Sequence, residues 1–277
     1  MGEVFSNRKI SVNIIPYPSR KIISDSKKYL SLADDYLYGE LKKDVGNVGE
    51  LLVLPGESEF DILGRIKSNK ICGFKCYHLL NPSEKTADLN IKDYLPESAF
   101  VLANEYKKVI TLHLVKDLAL SDEENLNYIK KMAKKYPNAI LILAHAARAF
   151  ATWTGFESVE QLRDIENVWF DLSAVCETPA MFQIIKKCGT TRVLWGSDYP
   201  ITEIRGRAVS IADKFFWICD YEQPEISKSI KMWKYIEENL MAVRQTVIMA
   251  DLTRRQVEDV FYNNAKMLFA MGKDFQL

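Results

Sequence analysis

Seven short apolar runs, each followed by a longer stretch of helical character, constrain this chain more than any other feature of its sequence. The run at 139–144, AILILA, is the plainest. It lacks the polar–apolar alternation of a half-exposed strand, so both faces must be buried, as in parallel sheets. The others lie at 10–16 (ISVNIIP), 51–54, 71–77 (ICGFKCY), 109–115 (VITLHLV), 168–172 and 192–196 (RVLWG). Helices are expected over 25–43, with Tyr29, Leu32, Ala33, Tyr36, Leu37 and Leu41 on one face, and over 59–67, 99–107, 122–135, 159–164 and 180–188. Ser121 and Glu124 are spaced as a capping box for the helix at 122–135. From about Arg207 onward the chain reads as helix.

Strands alternating with helices build a parallel sheet, either open and doubly wound or closed as a (β/α)8 barrel. No GxGxxG follows the first run, and residues 53–56 (VLPG) lack the Lys-Ser/Thr of a phosphate loop, which weakens the nucleotide-binding open sheets. The 277 residues suit one barrel domain, 1–277, and show no linker, low-complexity segment or internal repeat. Lys+Arg 37 balance Asp+Glu 37, which argues against a nucleic-acid partner. No apolar run approaches the roughly 20 residues of a membrane span, and the N-terminus has no signal-peptide character. The five cysteines are scattered without a CxxC; Cys72 and Cys76 read as core thiols, and a reducing, cytoplasmic location fits.

Polar residues at the C-terminal ends of apolar runs carry the chemistry. Lys75 lies in GFKCYH, His113 in TLHLV, His145 in LAHAAR and Asp198 in WGSDYP. In a parallel barrel, ligands bind at that end. Taken singly, each has a structural alternative: a core histidine, a helix-capping Asp198, a Lys75 reaching from a strand end to solvent. Taken jointly, two imidazoles and a carboxylate are suited to Zn²⁺ or a similar divalent ion, with Asp198 alternatively accepting a proton from metal-bound water. Arg148 suits either a substrate carboxylate or an internal ion pair. Tyr17, Ser19 and Arg20, after the first run, and Tyr199, after the last, are placed to line the site; Trp153 and Glu177 are weaker candidates. Phe215, Phe216, Trp217, Trp233 and Tyr235 read as helix packing or a subunit interface, which leaves a homo-oligomer open.

His113 on its strand, LAHAAR, VLWGSDYP, the terminal NNAKMLF (263–269) and GFKCYH together resemble the amidohydrolase-related TIM-barrel family, the branch of metal-dependent hydrolases and aromatic-acid decarboxylases. The resemblance covers about 10–270 and implies a (β/α)8 barrel with extra C-terminal helices, in which 71–77 is strand four and 109–115, 139–145, 168–172 and 192–198 are strands five to eight. The family opens on a strand carrying His-x-His; this chain has no histidine before His78, and 10–16 aligns with the second strand, so strand one is expected to be absent or altered. The resemblance implies an enzyme that hydrolyses or decarboxylates a small organic acid, lactone or amide. His113, His145 and Asp198 would hold a divalent metal, zinc by expectation. Asp198 would transfer the proton, and Lys75, Arg148, Tyr199, Tyr17 and Arg20 would line the substrate. Lys75 has three readings: a carbamylated metal bridge, a carboxylate contact, or a structural lysine. The alternative function is a barrel that binds a ligand or partner without turnover. Two geometric expectations follow. Lys75, His113, His145 and Asp198 converge at one mouth, and the strands flanking the absent one either close on each other or are covered by another chain.

Overall fold

The computed structural model describes residues 9–18, 26–83, 85–212, 214–271 and 274–275. Ser19 and Arg20 lie outside the described residues. Seven strands form one sheet in chain order: β1 (Asn13–Ile14), β2 (Val48–Val53), β3 (Ile71–Cys76), β4 (Val109–Leu112), β5 (Ile140–Leu143), β6 (Val168–Asp171) and β7 (Val193–Leu194). Every pairing is parallel. The sheet curls as an open TIM-type barrel, because each crossover is a helix or turn that returns the chain to the same edge.

The registers sort the side chains. Val53, Cys76, Leu112, Leu143, Phe170 and Val193 lie abreast on the outer face, packed in the main core with Leu37, Ile62, Phe100, Ile129 and Ile184 of the surrounding helices. One residue earlier, Leu52, Lys75, Thr111, Ile142 and Trp169 lie abreast on the inner face. Asp171 continues that inner parity, paired with Leu194. Side chains alternate with period two, so His113, just past β4, follows the inner direction of Thr111.

Among the described residues, β1 and β7 do not pair. The C-terminal segment of the same chain covers the free edge of β7. Trp195 donates its backbone N–H to Val260 O at 3.0 Å, and Asn264 Nδ2 donates to Thr190 O at 2.7 Å and Val193 O at 2.8 Å. Leu268, from the helix Asn264–Ala270, fills the inner face against Val109, Ile142, Trp169 and Leu194. At β7 the expected closure by β1 is therefore replaced by the chain's own C-terminal helical segment. A side-chain amide supplies the donors that a neighbouring strand would have given.

Three local expectations are corrected. Residues beyond Arg207 are not all helical: β8 (Gly206–Ile211) and β9 (Lys214–Cys219) form an antiparallel hairpin, as their β-branched and aromatic content favours. Gly206, at φ 143°, permits this pairing, since a Cβ there would meet Ile218 O at 1.9 Å. Phe215, Phe216 and Trp217 thus belong to a strand. The helix Glu123–Lys135 is capped by Asp122, whose side chain accepts from Asn125 N, and not by Ser121. The stretch at 159–164 holds only a short 3₁₀ turn, Glu160–Leu162. All five cysteines are free and buried. No helix among the described residues is long and apolar enough to cross a membrane.

Candidate active site

The chain has three histidines, and the fold brings all three into one row at the C-terminal ends of the strands. His78, in the turn after β3, stacks on His113 with ring centroids 5.7 Å apart; His113 meets His145 edge-on at 5.1 Å; His145 stacks on Phe150 at 5.6 Å. Tyr77 lies 6.3 Å from His113, and the Lys75 ammonium sits 4.8 Å from the Tyr77 ring centroid. Burial pushes the His113 imidazole well below its ordinary pKa, and His145, Lys75, His78 and Arg148 push it the same way. The ring is therefore neutral at physiological pH.

His145 sits on an unusual backbone. It and Ala146, Ala147 and Arg148 all have positive φ, between 52° and 63°, one turn of left-handed helix without a glycine. Asp171 anchors the turn and the strand end beside it. Its carboxylate accepts from the His145 backbone N–H (3.3 Å), the Ser173 backbone N–H (3.0 Å) and the Ser173 hydroxyl. His145 Nδ1 lies 3.0 Å from Ser173 Oγ and 3.2 Å from Ser173 O. Gly196 of the WGSD motif makes room for this group, since a Cβ there would stand 2.9 Å from Asp171 Oδ1.

Asp198 also has positive φ, 51°. The 3₁₀ turn after it, Ile201–Glu203, is entered through Pro200 with no side-chain cap, so the capping role is not the one Asp198 plays. Among the described residues its carboxylate has no hydrogen-bond donor. Burial raises its pKa, and Asp171 adds to the rise, while the charges of His145 and Lys75 oppose it.

Two cations lie near this group. Lys75 is 3% exposed, and burial lowers its pKa against the opposing pull of Cys76, Glu50, Asp198 and Asp171. Arg148 is half-buried, donates to Lys116 O at 3.1 Å and lies 5.4 Å from the Phe215 ring centroid; burial lowers its pKa too. Neither is ion-paired with a carboxylate among the described residues. Arg65, also largely buried, meets both Asp34 (2.8 Å) and Glu57 (2.7 Å).

Of the remaining sequence candidates, Tyr17 is half-exposed and meets Tyr77 edge-on at 6.1 Å, on the rim of this group. Tyr199 is exposed beside Asp198. Trp153 is exposed, and Glu177 accepts from the Ser210 backbone N–H in the hairpin. Sequence reasoning passed over His78, Asp171, Ser173 and Phe150. Asp171 carried the same signal as Asp198, an acid at the end of an apolar run. It also passed over Glu50. This carboxyl is wholly buried on β2; Oε1 accepts from Asn13 Nδ2 (2.6 Å) and Thr111 Oγ1 (2.8 Å), and Oε2 has no partner among the described residues. Burial pushes its pKa up to about 7 against the pull of Asn13, Lys75 and Thr111.

The hairpin roofs the row. Phe215 and Trp217 lie 5.0 and 4.9 Å from Phe150, and Ser210 Oγ donates to Phe150 O at 3.1 Å. Lys75, His113, His145 and Asp198 thus gather on one inner surface. The expected metal set of His113, His145 and Asp198 does not close, however. Among the described residues, no three His, Cys, Asp or Glu side chains meet in ligand geometry. As they stand, these residues do not fit a three-ligand metal site.

The sequence model of the amidohydrolase family matches residues 33–271. No curated protein sequence matches the chain. Among solved structures, an amidohydrolase from Burkholderia multivorans with bound zinc is similar at 12% identity and a TM-score of 0.57, over 87% of this chain and 80% of its own. The 5-carboxyvanillate decarboxylase of Novosphingobium aromaticivorans, complexed with manganese and 4-hydroxy-3-methoxy-5-nitrobenzoic acid, is similar at 15% identity and 0.57, over 94% and 76%. A 2,6-dihydroxybenzoate decarboxylase from Rhizobium is similar at 13% and 0.52, over 92% and 80%. At these identities the likeness is one of fold, and it agrees with the family match, which spans most of the sequence: the chain belongs to the amidohydrolase family.

Proposed function

We propose that this amidohydrolase-family chain is an enzyme that hydrolyses or decarboxylates a small organic acid. Lys75 and Arg148 receive its carboxylate, and Asp198 transfers the proton. The observation that carries this reading is that buried Lys75, near Asp198, and half-buried Arg148, near His113, make no ion pair with a carboxylate among the described residues. Burying a cation without a hydrogen-bonded counter-charge is costly, and a carboxylate from outside would supply one to both. Arg148 offers the planar fork that matches a carboxylate. Tyr17 and Tyr199 stand at the rim, where a substrate enters.

Among the described residues Asp198 has no hydrogen-bond donor, and burial raises its pKa. It is placed to accept a proton from water in hydrolysis, or to deliver one to the substrate carbon in decarboxylation. Neutral His113 supports either step as an acceptor of hydrogen bonds. The zinc and manganese in similar structures support a divalent ion here as well. Because the donor set does not close, no step is assigned to that ion. The open ligand set also favours a second reading, a barrel that binds a carboxylate without turning it over.

A panel of small carboxylic acids, lactones and amides, each with and without Zn²⁺ or Mn²⁺, tests both. Turnover that Asp198→Asn abolishes supports the enzyme. Saturable carboxylate binding with no turnover on any compound leaves the second reading. Neither binding nor turnover overturns both.

A further inference from the structure

The hydrogen bonds around His145 have a direction, and it can be read from the ends of the chain. The Asp171 carboxylate receives three donors: the His145 N–H, the Ser173 N–H and the Ser173 hydroxyl. Those three donors occupy both Asp171 oxygens, and the Ser173 hydroxyl is one of them. The Ser173 hydroxyl therefore spends its single proton on Asp171 and turns lone pairs toward His145. The second contact of His145 Nδ1 is the Ser173 carbonyl at 3.2 Å, which can only accept. Both partners of Nδ1 are thus acceptors, and the proton of the neutral ring must sit on Nδ1. A neutral histidine free in water favours the opposite, Nε2–H form.

We propose that Asp171 and Ser173 are positioning residues that hold His145 as its Nδ1–H tautomer, so that Nε2 presents its lone pair to the mouth. The same carboxylate fixes the ring's backbone through the His145 N–H, so tautomer and orientation are set by one group. Gly196 is needed because a side chain there would displace that group. A lone pair on Nε2 serves an acid–base step or a metal bond alike. The assignment deepens the reading of the mouth under the proposed function and rests on it only for the consequence in turnover.

The test reads the ring itself. Protein labelled with ¹⁵N-histidine is recorded at pH 8 by long-range ¹H–¹⁵N correlation, with His145 assigned by its loss in His145→Gln. The wild type is expected to show His145 as Nδ1–H. Asp171→Asn frees the Ser173 hydroxyl to donate to Nδ1, and the Nε2–H form should rise several-fold. Ser173→Ala keeps Nδ1–H through the carbonyl, and in that background Asp171→Asn should no longer move the tautomer. Wild-type His145 found as Nε2–H overturns the proposal, and that result needs no variant to fold. An Asp171→Asn effect that is absent, or that persists without the Ser173 hydroxyl, overturns it as well. Failure to find turnover leaves these spectra untouched, so the two failures are distinguishable.

Discussion

The two ends of the β7 strand follow opposite rules. At its covered edge backbone groups find partners: Asn264 serves Thr190 O and Val193 O, and Val260 O takes the N–H of Trp195. A few residues on, Asp198 is half-buried with no hydrogen-bond donor among the described residues, on a left-handed backbone, near a buried Lys75 that makes no ion pair among the described residues. The first arrangement is what stability selects, since unpaired buried polar groups cost about 1–3 kcal/mol each. The second gives that stability up, and such sites are where function is found.

The sharpest way to break the contrast is Asp198→Asn. Asn is nearly isosteric but cannot accept a proton at neutral pH. The variant should keep its thermal midpoint and lose about 10²–10⁴ in rate on whichever acid is turned over. Full activity would reduce Asp198 to a structural residue and take the proposed proton transfer with it.

The next largest effect belongs to Glu50, which violates the rule of satisfied burial from inside the barrel. Its pKa rises from 4.5 to about 7 on folding, so the folded state holds its proton more tightly than the unfolded one. Stability is then highest below the unfolded pKa, falls as pH rises from 4.5 toward 7, and levels off above the folded value. At 1.36 kcal/mol per unit, the loss from this group is about 3 kcal/mol. Glu50→Gln keeps the donors of Asn13 and Thr111 supplied with an acceptor and cannot ionise. Urea denaturation at pH 5 and pH 8 should show a smaller drop for the variant by about that amount. An equal drop in both proteins would place the charged form of Glu50 in the fold at no cost.

These cases also divide what could be read from the sequence. The seven strands were legible because burial on both faces writes itself as unbroken apolar runs, as at 139–144. Lys75, His113, His145 and Asp198 stood out as polar residues on such runs. Glu50 did not, because its partners Asn13 and Thr111 lie 37 and 61 residues away and nothing local shows that it is buried. The hairpin was missed because aromatic-rich 215–217 suits a packed helix as well as a strand until the turn at Ala212, with φ 54°, is known. The failure of the metal set to close depends on side-chain directions that spacing does not record.

Asn264 tests the covered edge. Asn264→Ala leaves two carbonyls without the amide that meets them at 2.7 and 2.8 Å. Both bonds are buried, so the loss should be about 2 kcal/mol. Asn264→Asp, which lacks the donor, should cost at least as much. A loss below about 0.5 kcal/mol would mean that packing of Leu268, not the amide, covers the edge.

The smallest expected effect is the most telling about the mouth, because it is a cancellation. Ala147 is fully buried at φ 60°. Replacing a buried alanine by glycine removes a methyl worth about 0.8 kcal/mol and frees the unfolded chain by about 0.5–1 kcal/mol. At an ordinary helical position such as Ala103, equally buried in the helix Glu97–Tyr106, the change should therefore cost about 1–2 kcal/mol. At Ala147 the left-handed backbone already costs an L-residue about 1–2 kcal/mol, and glycine relieves it. The two terms offset, and Ala147→Gly should change stability by no more than about 0.5 kcal/mol while Ala103→Gly shows the full loss. Equal losses at both positions would mean that the turn carrying His145 and Arg148 stores no strain. The contrast between the satisfied edge and the strained mouth would then rest on side chains alone.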